Sequence, residues 1–165
     1  MTWREAFLLQ ARSDHAVFDR LGALRVEVEP CHRLHYFQMA TEKLAKAFLT
    51  APAAVEAPAT VHTAFVRMLQ VIKGRPDIRR QLGYANARAF ASFINSLLGL
   101  ANRVQGLAPA VAGLTQPNPE YPWRNLGTGE IQAPAEFEFP DFDRATKPQM
   151  AKLDKLVRAL LRLAS

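Results

Sequence analysis

Apolar residues recur at intervals of three and four over several separate stretches of the chain, the spacing that lines one face of an α-helix. In the first stretch Trp3, Phe7, Ala11, Phe18 and Leu21 share such a face. It opens with Thr2-Trp-Arg-Glu5, a capping box whose two polar side chains satisfy free amides of the first turn, and Gly22 is a natural stop. The next residues, 24–30, alternate apolar and charged positions but are few and end in Pro30, so they read as an extended connector.

A second helix is predicted from about Cys31 to Leu49. Leu34, Phe37, Met39, Ala40, Leu44, Ala47 and Phe48 fill its apolar stripe, while Glu42, Lys43 and Lys46 are expected to look outward. An Ala/Pro linker over 51–59 follows. The third helix is expected to start near Thr60, with Val61, Phe65, Met68, Leu69 and Ile72 on one face and Gly74 closing it. A short helical turn around Asp77 to Leu82 leads to Gly83. The fourth long helix spans roughly Asn86 to Gln105 on the stripe Phe90, Ile94, Leu97, Ala101 and Val104, ended by Gly106 and Pro109.

From Pro117 to Pro140 the pattern breaks into a proline-rich stretch, long for a connection between helices and expected to pack as a surface lid. Within it Leu126-Gly-Thr-Gly-Glu130 can turn a small hairpin with arms at 123–126 and 131–133. The last helix is announced by Thr146-Lys-Pro-Gln149, a second capping box, and carries Met150, Leu153, Val157, Leu160 and Leu161 on its inner face. Helices joined in this order bury their stripes against one another. The expected fold is therefore all-α: one domain over residues 1–165, an up-and-down four- to five-helix bundle with a long Pro-rich loop before the last helix.

The 165 residues are 49% hydrophobic and 22% charged, a globular composition. No apolar run approaches the ~20 residues that span a bilayer, so no membrane association is expected. The first residues carry charges throughout and lack the apolar stretch of a secretory signal. Cys31 is the single cysteine and has no internal disulfide partner, which suits a reducing compartment, so a cytoplasmic location is expected. The net charge of +6 permits a polyanionic partner.

The chemistry-bearing residues are sparse. A diiron centre needs Glu-x-x-His pairs from two helices, and this sequence holds one such spacing, Glu29 to His32, without a second. Cys31, His32 and His35 sit together, but zinc would need a fourth ligand, so neither metal nor cofactor is expected. A thiol at a helix start beside His32 can have a lowered pKa, although a lone cysteine is more often buried and inert. No G-x-S-x-G elbow, Walker loop or dinucleotide fingerprint occurs, and the acidic residues read as scattered singly over surfaces. Lys152, Lys155, Arg158 and Arg162 advance by three or four along the last helix and can follow a phosphate backbone; the plainer reading is a solvated helix face. Tyr121, Trp123 and Arg124 in the proline-rich loop can stack on unpaired bases, or serve as a rigid cover for the bundle.

His35-Tyr-Phe-Gln-Met-Ala-Thr-Glu-Lys-Leu-Ala-Lys-Ala-Phe-Leu49 resembles the signature helix of HEPN domains, in which an aromatic and Gln precede Ala-x-Glu-Lys-x-x-Lys-Ala. The matching positions are Phe37, Gln38, Ala40, Glu42, Lys43, Lys46 and Ala47. Thr60-Val-His62 is similar to the Thr/Ser-x-His element that opens the family's third helix, and Tyr121-Pro122 to an aromatic-proline element after the fourth. The likeness runs in order from about Trp3 to Trp123.

The resemblance implies a helical bundle of toxin–antitoxin or defence systems that dimerises through its helices. Members are either metal-independent ribonucleases using an Arg-x4-6-His motif near the fourth helix, or binding subunits that work beside a small nucleotidyltransferase. This sequence departs at that motif: its fourth helix carries Arg88 and Arg103, and no histidine follows His62. The expected role is therefore a non-catalytic partner subunit, homodimeric, with a nucleotidyltransferase-type protein and RNA as candidate partners. The alternatives are a ribonuclease using Arg25 and His32, spaced as Arg-x6-His in the connector, with His35 as a second proton carrier, or a scaffold bundle unrelated to the family.

Overall fold

The computed structural model describes residues 1–24, 28–56, 62–142 and 147–163. Among them lie helices α1 (Trp3–Ala23), α2 (Pro30–Leu49), α3 (Ala64–Lys73), α4 (Pro76–Gln81), α5 (Ala87–Gly106), α6 (Pro109–Ala112) and α7 (Pro148–Leu163), and an antiparallel pair of strands, β1 (Trp123–Arg124) and β2 (Ile131–Gln132). The described residues are all-α apart from that hairpin.

Local signals set most helix ends. Thr2 and Glu5 form the reciprocal capping box at the start of α1, and the Asn86 side chain caps α5 by accepting from the Ala89 amide at 2.8 Å. Helix α3 has no side-chain cap of its own. Its free Val66 amide is instead satisfied by the side-chain amide oxygen of Gln105 on α5, at 3.2 Å.

Helices α1 and α2 form an antiparallel hairpin and make the most extensive helix–helix contact of the fold. Fully buried Ala11, Ala40, Ala45 and Ala47 let the two backbones approach, and the rings of Phe18 and Phe37 meet with centroids 4.9 Å apart. Helix α5 closes the main core with Phe90, Ile94, Leu97, Ala101 and Val104, against Phe65, Met68, Leu69 and Ile72 of α3. Met150, Leu153, Val157, Leu160 and Leu161 of α7 complete it.

The proline-rich stretch is a cover with its own small core. Trp123 is buried to 2% exposure among Cys31 and Leu34 of α2, Leu107 at the end of α5, and Phe139. Phe137 stands edge-on to both Trp123 and Phe139. The hairpin pairs Trp123 with Gln132 and Arg124 with Ile131, and Gly129 supplies the left-handed backbone (φ 77°) that its turn needs. Phe139 also has a positive φ, 46°, rare for a residue with a side chain; its ring's burial in the cover holds it there.

Several expectations change. Trp3 is 41% exposed and reaches across to the Val55 carbonyl instead of entering the core. Glu42, Lys43 and Lys46 do not look outward: their side chains are 12%, 17% and 12% exposed. Tyr121 lies at 56% exposure outside the cover's core. The expected start of the third helix at Thr60 and Val61, and Thr146 of the second capping box, lie outside the described residues.

If the cover is part of the folded core, Trp123→Ala loses about 3–5 kcal/mol of stability in a denaturant titration, the range for emptying a large buried aromatic site. Tyr121→Ala, beside it in sequence, changes stability by no more than about 0.5 kcal/mol.

Candidate functional site

Ionisable side chains converge where α1 meets α2 and α7. Asp14 and His15 on the inner side of α1 are 6% and 4% exposed, and Asp154 on α7 is 1% exposed. Lys43 of α2 donates to Asp14 at 2.7 Å, with Gln10 donating to the other carboxylate oxygen at 2.9 Å. His15 Nε2 lies 2.8 Å from Asp154, and its Nδ1 lies 3.5 Å from Asp19. Arg158 of α7 spans both carboxylates, donating to Asp19 through two guanidinium nitrogens and to Asp154 at 3.1 Å. Arg12 adds a bridge between helices, donating to the Leu161 carbonyl at 2.8 Å. The acidic residues are thus not all scattered over surfaces. They are brought together by tertiary packing across a sequence separation of 139 residues, which spacing along one helix cannot reveal.

His15, Asp19 and Asp154 present potential metal-ligand atoms within 4.8 Å of one another. The guanidinium of Arg158 already supplies the positive charge these carboxylates need, and a dication would have to displace it. The arrangement fits a closed internal ion network better than a metal centre.

A second cluster sits on α2. Glu42 accepts from Lys46 at 2.6 Å and from Gln38 at 3.1 Å, and its Oε2 lies 3.0 Å from His62 Nδ1 at the approach to α3. Burial pushes the Glu42 carboxyl up, but the hydrogen bonds from Lys46 and His62, the Lys46 charge and the Gln38 amide together outweigh it and leave the carboxyl below its ordinary value. The Lys46 ammonium also lies 5.7 Å from the Phe7 ring centre, against α1. Of the polar positions of the α2 signature, Lys43 and Lys46 therefore tie α2 to α1 and Glu42 ties it to His62 ahead of α3, while Gln38 braces Glu42 within the helix.

The candidate residues read from the sequence are spread over the molecule. Arg25 lies outside the described residues. His32 is 60% exposed with Glu29 at 3.7 Å, whereas His35 is half-buried with its Nδ1 3.2 Å from Glu120 of the cover. Cys31 is buried at 2%, and desolvation raises its thiol pKa, the opposite of an activated thiolate. On α7, Lys152, Lys155 and Arg162 are exposed, while Arg158 is committed to Asp19 and Asp154. Arg124 reaches its own hairpin, donating to the Gly129 carbonyl at 2.8 Å. Trp123 is buried and Tyr121 exposed, so the two aromatics do not form one stacking platform.

No protein-family model matches the chain, and no curated protein or solved structure does either.

Removing Asp154 leaves His15 and Arg158 facing Asp19 alone in a buried site. Asp154→Ala is expected to lose about 3–5 kcal/mol in chemical denaturation, far more than loss of an exposed pair. The Glu42 carboxyl has a lowered folded pKa, so its stabilising contribution is complete above the ordinary value of 4.5 and is lost as pH falls below that toward the folded value. Glu42→Gln should therefore flatten the decline of thermal stability between neutral and acid pH; an unchanged pH profile would refute the assignment.

Proposed function

We propose that this bundle is a non-catalytic binding protein of the HEPN-like type, a partner subunit in a toxin–antitoxin or defence-type system. The observation that carries the reading is the state of the histidines. Each of the chain's four imidazoles lies against a carboxylate: His15 by Asp154, His32 by Glu29, His35 by Glu120 and His62 by Glu42. Phosphodiester cleavage without metal needs an imidazole that reaches the substrate beside a cation left free to stabilise the developing charge. Among the described residues, two of these imidazoles share their carboxylate with a cation: His15 with Arg158, in a buried site, and His62 with Lys46, whose ammonium is itself half-buried and committed to Glu42.

The α2 signature supports the same reading. Its polar residues hold helices together, the work of a scaffold that presents a surface. Under this reading the subunit pairs with a second copy and with a nucleotidyltransferase-type protein, and RNA is a secondary partner.

Recovery of the protein from its native cells, with and without nuclease treatment, tests this directly. A stoichiometric protein that survives nuclease is the expected result, and the purified chain should leave RNA intact in chelator. RNA cleavage in chelator that disappears in both Arg25→Ala and His32→Ala would overturn the proposal in favour of a metal-independent ribonuclease.

A further inference from the structure

The chain's positive charge is concentrated in one stretch. Residues 62–119 hold seven Lys and Arg against one acidic residue, Asp77; of the chain's 21 basic and 15 acidic residues, the remaining fourteen of each cancel. The net charge of +6 is therefore the charge of α3, α4, α5 and their connections. Residues elsewhere that look basic, including the α7 stripe, belong to a neutral remainder.

Packing gathers most of these cations at one corner. Helix α4 lies against both α3 and α5. The antiparallel course of α3 and α5, fixed by Val66 to Gln105 and by Lys73 to Asn95, places the end of α3 and the start of α5 at the same end of the pair. Lys73, Arg75, Arg79, Arg80 and Arg88 come from those ends and from α4 itself.

Arg75 is neutralised by a two-pronged pair with Asp77 at 2.9 and 2.6 Å. The others have no carboxylate partner among the described residues. Lys73 donates to the Asn95 amide oxygen, Arg79 to the Ala85 carbonyl and Arg80 to the Pro76 carbonyl. Those acceptors orient the side chains and leave their charge uncompensated. Arg79 Nε is buried with no acceptor at all. Arg88 is exposed in the first turn of α5, where the helix dipole disfavours a cation, so local stability does not explain it.

We propose that this α3–α4–α5 corner binds the phosphate backbone of a nucleic acid through Lys73, Arg79, Arg80 and Arg88. Three of the four are arginines, whose forked donors match phosphate oxygens. The corner's exposed large apolar side chain is Val71, whereas the centres of protein–protein interfaces are rich in aromatic and aliphatic groups and poor in charge. A partner held by charge alone is the occupant this surface fits. The proposal does not depend on the partner-subunit reading, since it uses none of the α2 residues.

The test is fluorescence anisotropy of the intact protein with labelled oligouridylate, and with a labelled DNA duplex, at about 50 and about 200 mM KCl. Binding should weaken steeply with salt. Arg80→Ser with Arg88→Ser should reduce affinity at low salt roughly tenfold or more, and lower the salt slope on the single strand by about 0.7 for each phosphate no longer neutralised. Lys152→Ser with Lys155→Ser, on α7, should change affinity less than about twofold. Circular dichroism melts check that both variants fold. If the corner variant melts early, Arg88→Gln, at an exposed position with no side-chain partner among the described residues, replaces it. No binding to either probe at low salt would overturn the proposal, as would an equal loss from the α7 variant. Tighter binding of polyglutamate than of either nucleic acid would overturn it too, and assign the corner to an acidic protein.

Discussion

A buried ionic side chain is costly unless every member of its network is paired at once, and this fold places such a network where three helices meet. Lys43 of α2 reaches Asp14 of α1, and His15 one residue on from Asp14 reaches Asp154 of α7. Arg158 then returns from α7 to Asp19, a turn further along α1. A slip of any helix by one residue would strand at least one charge in a site with little water. Apolar stripes alone tolerate such slips more readily, since one aliphatic contact substitutes for another. The network therefore sets the relative register of α1, α2 and α7, while the apolar core supplies most of the driving force.

The same constraint accounts for the character of α2. Its inner stripe of Leu34, Phe37, Ala40, Leu44 and Ala47 is flanked by half-buried polar residues with defined partners on neighbouring elements. A helix built in this way is saturated with internal obligations along most of its length. The surfaces left for other molecules lie elsewhere: on the cover, with Tyr121, Leu126 and Ile131 exposed, and on the electropositive corner of α3, α4 and α5. That division of labour, a closed ionic interior and an uncompensated exterior, is the physical basis for reading the protein as one that binds.

The cover illustrates how an irregular segment becomes part of a core. Its prolines limit the conformations of the unfolded loop and so reduce the entropy lost on docking. The indole of Trp123 then anchors it against α2 and the end of α5, with Phe137 and Phe139 stacked edgewise beside it. The strained backbone at Phe139 is tolerated because the buried ring over-determines it.

Helix positions were legible in the residues because a 3.6-residue period is a local property: the stripes of α2, α5 and α7, the Thr2–Glu5 box, the Asn86 start and the turn at Gly129 all depend on neighbours a few positions away. The same periodicity misplaced Trp3 and turned Glu42, Lys43 and Lys46 to solvent. A period identifies the face a side chain occupies, and it carries no information about which other helix packs against that face. The Asp14–Lys43 and His15–Asp154 pairs span 29 and 139 residues, so no local signal could announce them. The net charge could be counted along the chain, but its location could not: α7 carries the regular basic spacing, and folding committed its Arg158 inward. Composition and periodicity determined that this chain is helical and basic. Which charges neutralise one another and which remain for a partner was decided only when helices distant in sequence were packed side by side.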